Sequence, residues 1–332
     1  MHAGPGALAR AAGEGTCSAA RGGEQNEATQ TLVVRPVALA IVVVCTLLLL
    51  VAVILVVIWG GRLFRKPADP GAPDEQASPL RLYLWWANVA TASALASGVL
   101  VGWAGGRLVM RVLAVTSPAS AQGRLTEAQA NVGFPTIDGS IALLFFGGLP
   151  AGFAAAFIYL FIRRWLPAGR WAGPALGVLL LLVFGASVDP LRADNIDFAI
   201  VGPGWLSVVL FSAMAVLHGA VVAAVAGAFS QRLPLPSGRD WKYYLPLAGA
   251  ILFLPAGILL GIGALVVMLC SWLAHVARAG RQHVETGPND VRSARALRRA
   301  AAVSWGGRAA LGLAAVVALP PFITAVTSII SR

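Results

Sequence analysis

Apolar residues along the chain fall into long unbroken blocks separated by polar connections. They show neither the two-residue alternation of a strand nor the one-sided stripe of a soluble amphipathic helix. Seven blocks stand out: Val37–Trp59, a second from Tyr83 through Gly105-Gly106 to about Val115, Ile141–Ile162, Trp171–Val188, Trp205–Phe229, Tyr243–Leu273 and Ala309–Ile330. A hydrocarbon core of about 30 Å needs roughly 20 helical residues at 1.5 Å each. The pattern therefore predicts an all-α polytopic membrane bundle of six or seven transmembrane helices.

The polar stretches divide the chain further. Residues 1–36 carry no apolar period and read as a disordered tail. Residues 37–59 form a first span too long for a signal peptide's apolar core. Residues 60–82 are a Pro/Asp-rich linker. Residues 83–273 form the bundle core, with two outer loops at 116–140 and 189–204. Residues 274–308 are an arginine-rich segment, and 309–332 hold the last span. Tyr83, Trp85 and Trp86 suit an aromatic belt at a headgroup boundary. Glycines recur at four-residue spacing, as in Gly98/Gly102/Gly106, Gly148/Gly152, Gly169/Gly173/Gly177 and Gly257/Gly261. Such spacing lets helix backbones approach closely within one compact bundle.

Composition supports the same class. The chain is 58% hydrophobic and 12% charged, too apolar for a soluble fold of this length to cover. The net charge of +11 comes mainly from arginines between the apolar blocks, which points to orientation and to anionic lipid rather than to nucleic acid. Arg62, Arg65, Lys66, Arg81, Arg163, Arg164, Arg170, Arg232, Arg239 and Lys242 fall in the odd-numbered connections, whereas the fourth connection is acidic. That places the N-terminus and the two outer loops outside a bacterial inner membrane, and the odd connections in the cytoplasm.

The sixth connection breaks this alternation, because it too is rich in arginine. A helix from Asp290 would put Arg292, Arg295, Arg298 and Arg299 on one arc, as a cationic surface helix against the cytoplasmic leaflet. Two readings follow. In one, the sixth block hinges at Pro255 and Gly257 and returns as a re-entrant element; in the other it is a single tilted span.

Few residues offer chemistry. Cys17, Cys45 and Cys270, with four histidines, make no metal or nucleophile motif, so no metal and no cofactor are expected, and no enzymatic signature stands out. His218 is the ionisable group central in a span, a candidate relay or a ring bonded to a neighbouring helix. Asn88, with Thr91, Ser93 and Ser97, makes the second helix polar on one face. Outside, Arg107 and Arg111 share a helical face as a candidate anion fork. Glu127, Asp138, Asp189, Arg192, Asp194 and Asp197 complete a charged cluster, either a structural ion-pair lid or a binding surface.

The stretches Gly105–Gly133 and Ser187–Leu206 resemble segments of uncharacterised multi-pass membrane proteins of actinobacteria, a resemblance that implies no activity. The functional expectation is a non-enzymatic membrane protein with the outer charged cluster as its interaction surface. Membrane lipids are its expected partners, with anionic lipid at the cytoplasmic face, a protein partner left open and self-association allowed. A small-solute or lipid transporter using His218 and the broken sixth helix is the alternative, and an enzyme acting on lipid or envelope precursors is more distant.

Overall fold

The computed structural model describes residues 36, 38–66, 78–235, 244–279 and 289–332, with the backbone path alone for 252, 277–279 and 289–300. The expected tail therefore lies almost wholly outside the described residues, as does the middle of the Pro/Asp-rich linker. Among the described residues, six helices are long and apolar enough to cross a membrane. They are α1 (Ala38–Trp59), α2 (Pro79–Thr116), α3 (Ile137–Ile162), α5 (Gly204–Arg232), α6 (Leu254–Ala279) and α7 (Asn289–Ile330). Between α3 and α5 lies a shorter apolar helix, α4 (Ala172–Phe184), which follows a 3-10 turn at Gly169–Trp171. Among the described residues there is no strand, only the isolated bridge Leu125–Asn131. The molecule is an all-α bundle.

Local signals start the helices. Pro79 opens α2, and the hydroxyl of Ser78 accepts the Arg81 N–H there. The Thr136 hydroxyl accepts the Gly139 N–H at the start of α3. The pairing of α2 with α3 depends on glycine. A methyl added at Gly152 would overlap the Ala94 carbonyl oxygen, and Gly98 and Gly148 meet backbone to backbone. Both helices widen to π turns at this crossing, over Gly98–Trp103 and Leu144–Gly148. α4 meets α5 in the same way, with Gly177 against the backbone of Ala215 and Val216, and Gly173 against Ala220. Lipid tails are as apolar as the helices, so close packing rather than the hydrophobic effect holds such pairs. Gly98, Gly102, Gly148, Gly152, Gly173 and Gly177 thus act inside the bundle, whereas Gly169 and Gly261 have no neighbour within contact distance.

The largest buried cluster joins these pairs. It gathers Trp85 and Val89 of α2, Phe153 and Tyr159 of α3, Leu176 of α4 and Val222 of α5. Trp85 is fully buried and its Nε1 donates to the Leu233 carbonyl, 2.9 Å away. Trp86 is half-buried against Phe64. The aromatic triplet is therefore packed into the protein, not spread as a belt toward lipid. The cause is Phe64, which the connection after α1 folds onto both indoles.

The sixth block is divided. Leu245–Ala248 and Gly249–Leu252 form short helical turns, and Phe253 (φ −122°, ψ 84°) breaks the path before α6 begins. The Asn88 side chain accepts the Leu247 N–H at 3.2 Å, and Phe253 stacks on Phe153 of α3. From there α6 passes back along α2, where the Tyr83 hydroxyl donates to the Leu260 carbonyl at 2.7 Å. The chain thus dips into the bundle from the arginine-rich end and turns back toward it. The break is at Phe253 rather than at Pro255 and Gly257, which sit in the first turn of α6. Proline is tolerated there because a first-turn N–H has no helical partner.

The last helix is longer than its apolar block. Asn289–Ile330 is one continuous helix, so the arginine-rich stretch from residue 289 onward is an extension of α7, not a separate surface element. The side chains of Arg292, Arg295, Arg298 and Arg299 lie outside those described. Gly307 of α7 lies against Trp165 and Ile329 against Gly204, so α7 runs antiparallel to α5 and starts at the arginine-rich end.

One prediction isolates the glycine crossing. Gly152→Ala should destabilise the bundle by about 1–3 kcal/mol, the usual cost of overpacking, while Gly261→Ala should leave it unchanged. Thermal unfolding in detergent compares the two. Equal midpoints would mean that the α2–α3 crossing is not tight.

Candidate functional site

The end of the bundle that carries the outer loops is a cap cross-linked by its own side chains. Arg192 reaches Glu127, with Nη2 at 2.6 and 2.7 Å from the two carboxylate oxygens. Its Nε is 3.7 Å from Asp194. The Glu127 N–H donates to the Asp197 carboxylate at 2.7 Å, and the Gly202 N–H donates to the Ser117 hydroxyl at 2.6 Å. Arg332 donates to the Ala193 and Asn195 carbonyls. Leu191 and Phe198 anchor the second loop in a small apolar cluster with Leu181 and Ile329. Partial burial raises the Asp197 carboxyl above its ordinary range, opposed by the bond from the Glu127 N–H.

The fork expected of Arg107 and Arg111 does not form. Arg111 donates to the Gly133 carbonyl at 2.7 Å and so pins the first loop to α2. Arg107 lies beside Gly139, with its Nε buried and without a hydrogen-bond partner. Asp138 and Asp189 are exposed on the cap. The structure thus brings Glu127, Arg192, Asp194 and Asp197 together and engages them with one another, while Arg107, Arg111 and Asp138 stand apart from that group.

Inside the bundle the polar groups are mostly satisfied locally. The hydroxyls of Thr91 and Ser93 donate to carbonyls one turn back on their own helix, and Asn88 holds the sixth block. His218 is buried and hydrogen-bonds the backbone of Ala151 on α3, while its Nε2 has no partner. Among the described residues, no three His, Cys, Asp or Glu side chains are grouped to hold a metal.

The opposite end holds a recess that sequence reasoning treated only as an orientation signal. Through the Gly173 and Gly177 contacts, the start of α4 is level with Ala220 of α5. From there α5 continues for about three turns to Arg232. The short fourth helix therefore leaves a cavity of about 550 Å³ between α1, α3, α4, α5 and α7. Five arginines line it, Arg62, Arg163, Arg164, Arg170 and Arg308, and among the described residues no carboxylate does. The inner wall is apolar, with Val56, Ala220, Ala223 and Ala224.

Aromatic rings hold two of these cations. The Arg163 guanidinium lies 3.8 Å from the Phe64 ring centre and 4.7 Å from that of Trp86. Arg164 lies 4.5 Å from the Trp165 ring. Cation–π contact uses the guanidinium face and leaves the N–H edges free to meet an anion. Partial burial lowers the Arg163 pKa, with Tyr159 opposing, yet a guanidinium stays charged in a protein. The Arg170 side chain packs on Gly61, whose φ of +95° turns the connection after α1 toward this wall. The signal available in the sequence was the shortness of the fourth block, set between Arg163-Arg164-Arg170 and much longer spans.

No protein-family model, no curated protein and no solved structure matches the chain.

The cap can be tested by proteolysis. Arg192→Gln should speed tryptic cleavage after the exposed Arg124 several-fold, read by mass of the fragments. An unchanged rate would place the hold on that loop elsewhere.

Proposed function

We propose that this is a non-enzymatic membrane protein that binds an anionic ligand in the arginine-lined recess. The observation that carries the reading is the gathering of five arginines around one cavity, with no carboxylate among its described lining residues. Uncompensated like charges oppose one another, and an anion placed between them relieves that cost while accepting charge-assisted hydrogen bonds. The lining holds cations, aromatic faces and apolar walls, and among the described residues it includes no histidine, cysteine, serine or carboxylate to serve as a nucleophile or base. The cap supports a structural role for its own charges, since most of them are engaged with each other.

The reading also carries an orientation. The arginine-rich end faces the cytoplasm of a bacterial cell, by the bias of Lys and Arg toward that side, and the cap faces outward. A second reading, movement of a small solute or lipid, has one observation behind it. The sixth block breaks at Phe253 within the bundle, and broken helices recur at transport sites.

Thermal unfolding of the full chain in neutral detergent tests the binding. Inorganic pyrophosphate should raise the midpoint by several degrees over chloride at matched ionic strength, since a ligand that binds only the folded state stabilises it by mass action. Arg163→Gln with Arg164→Gln should remove most of that shift. An equal response in both proteins would sink the anion site.

A further inference from the structure

The recess has two kinds of wall. Its rim is cationic, with Arg62, Arg164, Arg170 and Arg308 exposed, and its floor is formed by Val56, Ala220, Ala223 and Ala224. The three alanines are mostly covered by neighbouring helices, so the floor is a narrow apolar strip that half-buried Val56 extends, at a depth where α4 has only begun. A small hydrated anion would use the rim and leave the floor idle. A water-soluble organic anion would likewise gain little from four aliphatic side chains. A molecule with a phosphate at one end and hydrocarbon at the other uses both.

The position suits such a ligand as well. The recess opens where α1 and α3 end, beside Trp165, in a bundle built of apolar spans. That is the depth at which a bilayer presents its phosphates. Arginine favours phosphate because its planar fork pairs two N–H groups with two oxygens, and several arginines can share the oxygens of one group. A headgroup with its own cation is disfavoured, because among the described residues no carboxylate lines the cavity to receive that cation, and the rings of Phe64 and Trp86 are already covered by Arg163.

Resting on the anion reading above, we infer that the ligand is the phosphate of an anionic membrane lipid, held by Arg163, Arg164, Arg170 and Arg308 with its hydrocarbon against Val56, Ala220, Ala223 and Ala224. The recess is then a lipid site of the cytoplasmic leaflet. Arg308 gives it a further property. It belongs to α7, whereas Arg163, Arg164 and Arg170 follow α3, so one bound phosphate ties the last helix to the α3–α4 connection.

Native mass spectrometry of the full chain released from detergent tests this with three probes: a phosphatidylglycerol, a phosphatidylcholine and glycerol phosphate. Phosphatidylglycerol should give a one-to-one adduct at a concentration at least tenfold lower than phosphatidylcholine. Glycerol phosphate should fail to displace it at a hundredfold excess. Arg170→Gln with Arg308→Gln should lose the preference while keeping the Arg163 stack. Arg232→Gln removes the same kind of charge from the same end outside the cavity, and it should keep the preference.

Displacement by glycerol phosphate would overturn the lipid inference and leave the anion reading standing. Equal binding of the two lipids together with no binding of glycerol phosphate would overturn both. Loss of the preference in Arg232→Gln to the same degree would assign it to general surface charge, and overturn the site. If the Arg170/Arg308 pair fails to fold, Arg170→Gln alone, on the exposed 3-10 turn before α4, carries the same expectation.

Discussion

Backbone-to-backbone contact at glycine is the constraint on which this bundle depends. Helices in lipid gain nothing from hiding apolar side chains, since their surroundings are equally apolar, so they associate where they can pack most closely. Gly98, Gly148 and Gly152 bring α2 onto α3, and Gly173, Gly177 and Gly219 bring α4 onto α5. Each contact leaves no room for a methyl group, so it fixes register as well as proximity. The α4–α5 register has the larger consequence. It sets the start of a short helix well below the end of a long one, and the space left over is the arginine-lined recess. The cavity here follows from the arithmetic of helix length and glycine position.

The two ends of the bundle use charge in opposite ways. At the cap, Arg192 meets Glu127 and Asp194, Asp197 accepts a backbone N–H from Glu127, and Arg111 holds the carbonyl of Gly133. Those bonds order two long connections that would otherwise move freely, and they leave little charge to offer a partner. At the other end, arginines lie on aromatic rings and around a cavity with no acid among its described lining residues. Stacking on Phe64, Trp86 and Trp165 positions a guanidinium without neutralising it. Charge that is positioned and uncompensated is what an anion site requires.

Much of the architecture was legible from the residues. Continuous apolar blocks announce helices on every side exposed to lipid, and the glycine spacing of α2, α3 and α4 announces their close contacts. What escaped was set by partners distant in sequence. Trp85 and Trp86 look like interface anchors until Phe64 folds over them. Pro255 looks like a hinge, but proline also begins helices, and the break falls at Phe253, where stacking on Phe153 offsets the lost helical bonds. Arg107 and Arg111 share a face, yet a loop carbonyl 22 residues away takes one of them. The recess itself is formed by five segments meeting, and no local pattern records that. The arginines around it carry the same signature as any cytoplasmic loop, so the positive-inside rule accounted for them before geometry could.

The most direct test of this account is an electron cryo-microscopy map of the full chain in nanodiscs that contain both phosphatidylglycerol and phosphatidylcholine. Phosphate density is expected within hydrogen-bonding reach of Arg163, Arg164 and Arg170, with an acyl chain continuing along Val56 and Ala220. A recess filled only by water, in a map where lipid is ordered elsewhere around the bundle, would contradict it.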